Sequence, residues 1–129
     1  MGTNSEDYGW VTCHSESDLE RKALNMIENS CRSTRRGDHV IVFVVGHGHP
    51  SGHDHGSVYL GRNLLRPEDV FGNRAVLRCE ADVTLIVDAC YSGVWATKSA
   101  EYTFNATFEV ICGADDNTET LPCGESGSH

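Results

Sequence analysis

Two short apolar runs stand out in the pattern of hydrophobic and polar positions along the chain. The first covers residues 40–45 and the second covers residues 83–87, and both are rich in β-branched side chains. Runs this short and nearly continuous are typical of strands that are buried in a parallel sheet. A third run, at residues 107–112, predicts a further strand.

Helical spacing of apolar positions separates these runs. The spacing predicts a helix that begins near Ser17 and ends before Gly37, with one apolar face. That face carries Leu19, Ala23, Met26 and Ile27. Pro67 suits a first helical position and predicts a second helix to about Leu77, and a short helix is expected over residues 93–100. The alternation of strand and helix predicts an α/β fold with a mostly parallel sheet.

Each of the first two runs ends in a reactive side chain. The first stops at Gly46-His47-Gly48, and the second stops at Asp88-Ala89-Cys90-Tyr91-Ser92-Gly93. Ligands and chemistry in open α/β sheets gather at the carboxyl ends of the strands. The chain between the two ends is long enough for one crossover connection. The sequence therefore predicts a thiol nucleophile, Cys90, with its base, His47, on neighbouring strands.

These residue types suit acyl transfer, in which only the thiolate is reactive. His47 could take the proton of Cys90, and the helix expected after Cys90 would favour an anion at its N-terminus. The backbone N–H groups of Gly48 and Cys90 could form an oxyanion hole, where each donor contributes roughly 3 kcal/mol in known enzymes. The alternative is that Cys90 is an inert buried thiol and that His47 is an ordinary loop residue.

Asp88 lies two residues before Cys90, so strand alternation places both side chains on the same side. Its carboxylate could line a pocket for a basic side chain. It could equally accept hydrogen bonds from nearby backbone N–H groups. The sequence leaves both roles open.

The segment after the first run is rich in histidine. His47, His49, His53 and His55, with Asp54, could in principle bind zinc, nickel or copper. Glycines interrupt the segment and no cysteine lies within it, so a flexible, solvated loop is the favoured interpretation and no metal site is expected. The acids after residue 114 lack the spacing of an EF-hand. They are Asp115, Asp116, Glu119 and Glu125.

Composition limits the remaining possibilities. The 129 residues predict one domain, divided into an N-terminal segment (1–16) with a candidate short strand, a core (17–122) and a polar tail (123–129). A net charge of −9 argues against binding to nucleic acid. No apolar stretch reaches the ~20 residues of a membrane span. Six cysteines without a signal-peptide pattern predict a cytoplasmic chain with reduced thiols, of which Cys79 and Cys112 are expected in the core.

The two motifs resemble those of the caspase-like cysteine peptidase clan, specifically its metacaspase branch. Residues 36–48 are similar to the histidine strand of that family, residues 88–93 to its cysteine motif, and residues 111–116 to the segment after the next strand. The resemblance covers roughly residues 19–121. Glycine-histidine-glycine alone is a weak signal, whereas the ordered pair of motifs on apolar strands is a strong one.

The resemblance implies a three-layer α/β/α sandwich and a cysteine-type endopeptidase with a Cys–His dyad. Cys90 would be the nucleophile, His47 the proton shuttle, and the Gly48 and Cys90 amides the oxyanion hole. The acid at the position of Asp88 selects Arg or Lys before the scissile bond in metacaspases, so the expected partner is a peptide with a basic residue there. The resemblance implies no cofactor and leaves calcium activation and the oligomeric state open.

This chain departs from the family in two respects. Tyr91 follows the nucleophile where metacaspases often carry His. The strand and helix that precede the first helix in the family, and the final strand and helix, are not found, so the domain is expected to be truncated at both ends. A catalytically silent caspase-like interaction module, or a fragment, is therefore the alternative function. A redox or metal-binding thiol protein ranks last, because no Cys-x-x-Cys pair is present.

Overall fold

A computed structural model describes residues 18–114 of the chain. The candidate strand in residues 10–13, the predicted tail (123–129) and the acids beyond residue 114 lie outside the described residues. Within them, the α/β class is confirmed, with helices packed on a three-stranded parallel sheet.

The sheet is built from the three predicted strands. β1 (His39–Val45), β4 (Asp82–Asp88) and β5 (Phe108–Cys112) lie side by side in the order β1-β4-β5, and both pairings are parallel. Between β1 and β4 the chain forms a small antiparallel hairpin of β2 (Val58–Leu60) and β3 (Asn63–Leu65). The strand β3 was not predicted from the sequence.

Four α-helices accompany the strands: α1 (Leu19–Ser33), α2 (Pro67–Phe71), α3 (Arg74–Leu77) and α4 (Gly93–Ser99). The prediction of one continuous helix from Pro67 to about Leu77 is wrong, because Gly72 ends α2 and Asn73 begins a new helix. The Asn73 side chain accepts hydrogen bonds from the Ala75 and Val76 amides, which is the usual way that an N-cap starts a helix.

All four helices pack on one face of the sheet. In β1 this face carries Val40 and Val44, and in β4 it carries Val83, Leu85 and Val87; all five are buried. They form one core with apolar side chains from every helix. The helical members include Ile27, Phe71, Val76 and Trp95. Alternation along the strands therefore determines which side chains enter the core.

The opposite face of the sheet carries apolar side chains that are exposed. Ile41, Phe43 and Val45 of β1 are 66%, 60% and 58% exposed, and Ile111 of β5 is 45% exposed. We call this surface the open face. No helix between residues 18 and 114 covers it, so the predicted three-layer sandwich is wrong for the described residues, which form two layers. None of the helices in this range combines the length and hydropathy needed to cross a bilayer.

Candidate functional site

The register of the parallel sheet brings the ends of β1 and β4 together. Val45 lies opposite Asp88, and the next amide, that of Gly46, donates a hydrogen bond to the Asp88 carbonyl at 3.3 Å. His47 and Cys90 each follow two residues beyond the Val45–Asp88 pair. The fold therefore places both residues on adjacent strand ends at the carboxyl edge of the sheet.

Gly48 lies directly against the main chain of Cys90. A β-carbon at position 48 would overlap the Cys90 carbonyl oxygen and would lie 2.8 Å from its carbonyl carbon. No acceptor in residues 18–114 takes the Gly48 N–H. This amide is therefore available to a ligand beside Cys90.

The β2–β3 hairpin holds the histidine segment in place. The Tyr59 amide donates to the His47 carbonyl at 2.8 Å, and the His49 amide donates to the Ser57 carbonyl at 2.8 Å. Gly48 also forms an isolated antiparallel bridge with Val58. The His47 backbone is thus fixed on both sides, while its imidazole is exposed and has no hydrogen bond within the described residues.

The cysteine segment leaves β4 through a sharp turn. Cys90 is half-buried, and Tyr91 adopts a left-handed φ of 61°. Ser92 is fully buried; its Oγ accepts a hydrogen bond from the Ala114 amide at 3.0 Å and donates one to the Ala114 carbonyl at 3.3 Å. These bonds tie the turn after Cys90 to the end of β5. Helix α4 then begins at Gly93.

The carboxylate of Asp88 lies over Gly113, the residue that follows β5. A β-carbon at position 113 would come within 3.3 Å of Asp88 Oδ1. Asp88 is half-buried, and no group in residues 18–114 donates a hydrogen bond to its carboxylate. The sequence left two roles open for Asp88. The role in which its carboxylate accepts hydrogen bonds from nearby backbone N–H groups is not seen in residues 18–114.

The expectation of a solvated histidine loop is met in part: His47 and His53 are exposed and His49 and His55 are half-buried, whereas Gly56 at the end of the loop is buried. The Trp95 indole N–H donates to the Gly56 carbonyl at 2.7 Å, and Trp95 itself is fully buried. Gly56 has a φ of +87°, and a β-carbon there would lie 2.7 Å from the Val94 side chain. Helix α4 therefore anchors the loop that follows His47.

The histidines of this segment point to different partners. His49 contacts the ring of Tyr59 with centroids 5.8 Å apart, and His55 meets the ring of Tyr91 edge-on at 5.1 Å. Asp54 accepts a 2.8 Å hydrogen bond from Arg66, which lowers the pKa of that carboxyl. Nowhere in residues 18–114 do three or more His, Cys, Asp or Glu side chains converge as metal ligands.

The other described cysteines differ from Cys90 in their surroundings. Cys31 and Cys79 are buried against each other, and burial, together with the nearby Cys79 thiol, raises the pKa of Cys31 from 9.0 to about 12. Burial also raises the pKa of Cys112, although this residue is only half-buried at the end of β5. The expectation of a core position is therefore confirmed for Cys79 and only partly met by Cys112.

Sequence reasoning missed two residues that hold this site together, Ser92 and Trp95. In the sequence, Ser92 stands out only as part of the cysteine motif, and Trp95 only as part of a predicted short helix. A tryptophan in a seven-residue helix next to a reactive residue is a usable signal, because a buried indole N–H almost always needs an acceptor. Which carbonyl it would choose could not be read from the sequence.

Comparisons of the chain with protein-family models, with curated proteins and with solved structures give no match. The resemblance to the metacaspase branch therefore depends on the sequence motifs alone, chiefly those that contain His47 and Cys90. The geometry of the site is an independent observation, since it follows from strand register and loop contacts.

Proposed function

We propose that this chain is a cysteine-type endopeptidase of the metacaspase-like type that cleaves after Arg or Lys. One observation carries the proposal: in-register parallel strands bring His47 and Cys90 to the same edge of the sheet, with Gly48 packed on the Cys90 main chain. His47 is exposed and Cys90 is half-buried, so neither residue is enclosed in the core.

In the proposed reaction, His47 takes the proton from the Cys90 thiol, and the thiolate attacks the carbonyl carbon of the scissile bond. The negative charge that develops on the carbonyl oxygen is stabilised by the amides of Gly48 and Cys90. The tetrahedral intermediate then collapses, the C–N bond breaks, and His47 returns the proton to the leaving amine. Water, deprotonated by His47, hydrolyses the thioester and releases the second product.

Asp88 is proposed to select the residue before the scissile bond. Its carboxylate lies two residues from Cys90 and receives no hydrogen bond within residues 18–114, so its acceptor capacity is available to a ligand. An arginine fork or a lysine ammonium would satisfy it with charge-assisted hydrogen bonds. Gly113 lies beside Asp88, and because it has no side chain it leaves room for the Asp88 carboxylate.

The test is cleavage of fluorogenic peptides that carry Arg, Lys or Asp before the scissile bond. We expect hydrolysis of the Arg and Lys peptides, and we expect Cys90→Ala to abolish it. His47→Ala should lower the rate by at least about a hundredfold, the usual contribution of a positioned base. Cys112→Ala, which removes a half-buried thiol at the end of β5, is the matched control and should retain activity.

Asp88→Asn separates specificity from chemistry. The proposal predicts a higher KM for Arg and Lys peptides and little change in kcat, because the lost charge contributes to binding of the basic side chain. Cleavage that survives Cys90→Ala, or an unchanged preference in Asp88→Asn, would contradict the respective role. The absence of hydrolysis together with the absence of Cys90 alkylation by an arginyl chloromethylketone would reject the peptidase.

A second candidate function is a catalytically silent caspase-like module that acts by binding. The open face favours it, because Ile41, Phe43 and Val45 form a contiguous exposed apolar surface that leads directly to the Gly46-His47 turn. Exposed apolar patches often mark interaction surfaces. The peptide assays above separate the two functions, since a silent module would neither cleave nor become alkylated at Cys90.

A further inference from the structure

A surface pocket lies far from Cys90, at the opposite end of the sheet. It has a volume of about 590 Å³ and lies between the end of α1 and helix α3. Its residues flank the segments that enter β1 and β4, whereas His47 and Cys90 follow the strand ends. The pocket is therefore separate from the candidate active site.

The pocket is lined by four arginines. Arg32 and Arg35 come from the end of α1 and the turn after it, and Arg74 and Arg78 come from the first residue of α3 and the position just after its last residue. The chain has only ten Lys and Arg residues and a net charge of −9, so this is a strong local concentration of positive charge. The lining contains a single acid, Glu80.

Most of this positive charge is not neutralised by the protein. Arg32 forms an ion pair with Glu28 at 2.9 Å, but the guanidinium groups of Arg35, Arg74 and Arg78 have no ion pair within residues 18–114. Like charges on neighbouring turns repel each other. The negative ends of the α1 and α3 dipoles account for cations at Arg32 and Arg78, but they do not account for Arg74, which is the first residue of α3. An anion bound in the pocket would account for this concentration of positive charge.

A second pocket of similar size shows that this imbalance is not a general property of the surface. Its volume is about 640 Å³, and it is lined by Arg21, Arg62 and Arg66 together with Glu20 and Asp69. There the cations are offset by acids in the lining, and Arg66 is also bonded to Asp54. The contrast supplies a matched control within the same chain.

We propose that the pocket of Arg32, Arg35, Arg74 and Arg78 binds a small anion that carries several phosphate groups. A guanidinium group can bind two oxygens of one phosphate through a pair of hydrogen bonds. A cluster of guanidinium groups therefore suits a ligand with several adjacent phosphates better than a ligand with one carboxylate. The volume lies in the range of small-ligand sites. A long polyanion would extend beyond the pocket onto a surface whose overall charge is negative.

Isothermal titration calorimetry with inorganic triphosphate tests the proposal on the full chain. We expect binding to triphosphate that is at least about tenfold tighter than binding to inorganic phosphate, because several forks engage at once. Arg74→Gln/Arg78→Gln should weaken it by about tenfold or more, and Arg35→Gln alone should weaken it measurably. Arg21→Gln/Arg62→Gln makes the same change in charge at the second pocket and should alter binding by less than about twofold.

Equal weakening by the two double variants would overturn the proposal, because it would show that only net charge matters. Absence of triphosphate binding at low ionic strength would overturn it as well. Tighter binding of a polyglutamate peptide or of a single-stranded oligonucleotide would assign the pocket to a different class of partner. Cys90→Ala should bind triphosphate as the unaltered chain does, so this site and the peptidase can fail independently.

Discussion

The α-carbon of Gly48 lies so close to Cys90 that a β-carbon at position 48 would overlap the Cys90 carbonyl oxygen. The turns that follow β1 and β4 are thus in direct main-chain contact. Because backbone moves less readily than a side chain, this contact fixes the distance between the segments that carry His47 and Cys90.

Gly48→Ala is expected to be strongly destabilising. The methyl group would meet backbone, which cannot move aside as a flexible side chain can, so we expect a loss of about 3 kcal/mol in the free energy of unfolding. Urea denaturation measures this loss. Peptide hydrolysis, if present, should fall further than stability does, since separation of the two turns also displaces the proposed oxyanion donor.

Gly37→Ala is the control for this substitution. Gly37 has a φ of +98° but open space around its missing β-carbon, so the cost there is conformational and about 1–2 kcal/mol. Gly37→Ala should leave the site unchanged. A Gly48→Ala variant as stable as the unaltered chain would show that the two turns can separate freely.

The two faces of β1 should respond differently to the same kind of substitution. Phe43 is 60% exposed on the open face, whereas its neighbour Val44 is only 7% exposed in the core. Threonine retains β-propensity at both positions, so the difference reports burial. We expect Phe43→Thr to change the free energy of unfolding by less than about 1 kcal/mol, and Val44→Thr to lower it by about 2 kcal/mol because a hydroxyl enters an apolar core.

Chemical denaturation of both variants, at low protein concentration, gives these values. A loss at Phe43→Thr as large as that at Val44→Thr would mean that the open face is covered when the full chain folds. The two-layer arrangement of residues 18–114 would then not describe the whole surface.

Trp95→Phe should loosen the segment that follows His47. The substitution removes the N–H that bonds the Gly56 carbonyl and leaves a buried acceptor unsatisfied, which costs about 2 kcal/mol. Hydrogen exchange should be faster at the amides of Gly56 and Ser57 than in the unaltered chain. Ser99→Ala, an exposed change on the same helix, is the control. Unchanged exchange at both amides would show that the indole bond does not hold the loop.

The Cys31 thiol makes stability depend on alkaline pH. Its pKa is 9.0 ordinarily and about 12 in the folded chain, so the folded state holds a proton that the unfolded state loses above pH 9. This contribution to stability is complete below pH 9 and is lost as pH rises towards 12, by at most about 1.4 kcal/mol per pH unit.

Urea denaturation between pH 8 and pH 10.5 measures the effect. Other groups titrate in the same range, so the comparison is with Cys31→Ala, whose stability should fall less steeply with pH. Identical slopes for the two chains would contradict a buried, protonated Cys31.

Local pattern was sufficient for the three strands of the sheet and for the position of His47 and Cys90 at the same edge of it. β-Branched apolar runs favour strands wherever they are buried, and parallel pairing places the ends of neighbouring strands at one edge of the sheet. Helix α1 follows from its apolar face in the same way, although it ends at Ser33, before the glycine that was expected to stop it.

The tertiary structure decided what depends on contacts between distant parts of the chain. Trp95 anchors the loop at Gly56, Ser92 is bonded to Ala114, and arginines from the α1 end and from the α3 region line one pocket. The sequence shows which groups need partners, because a buried indole or hydroxyl must be satisfied. It does not show which partner is near, because that depends on how the helices pack on the sheet, and packing energy is shared among many side chains.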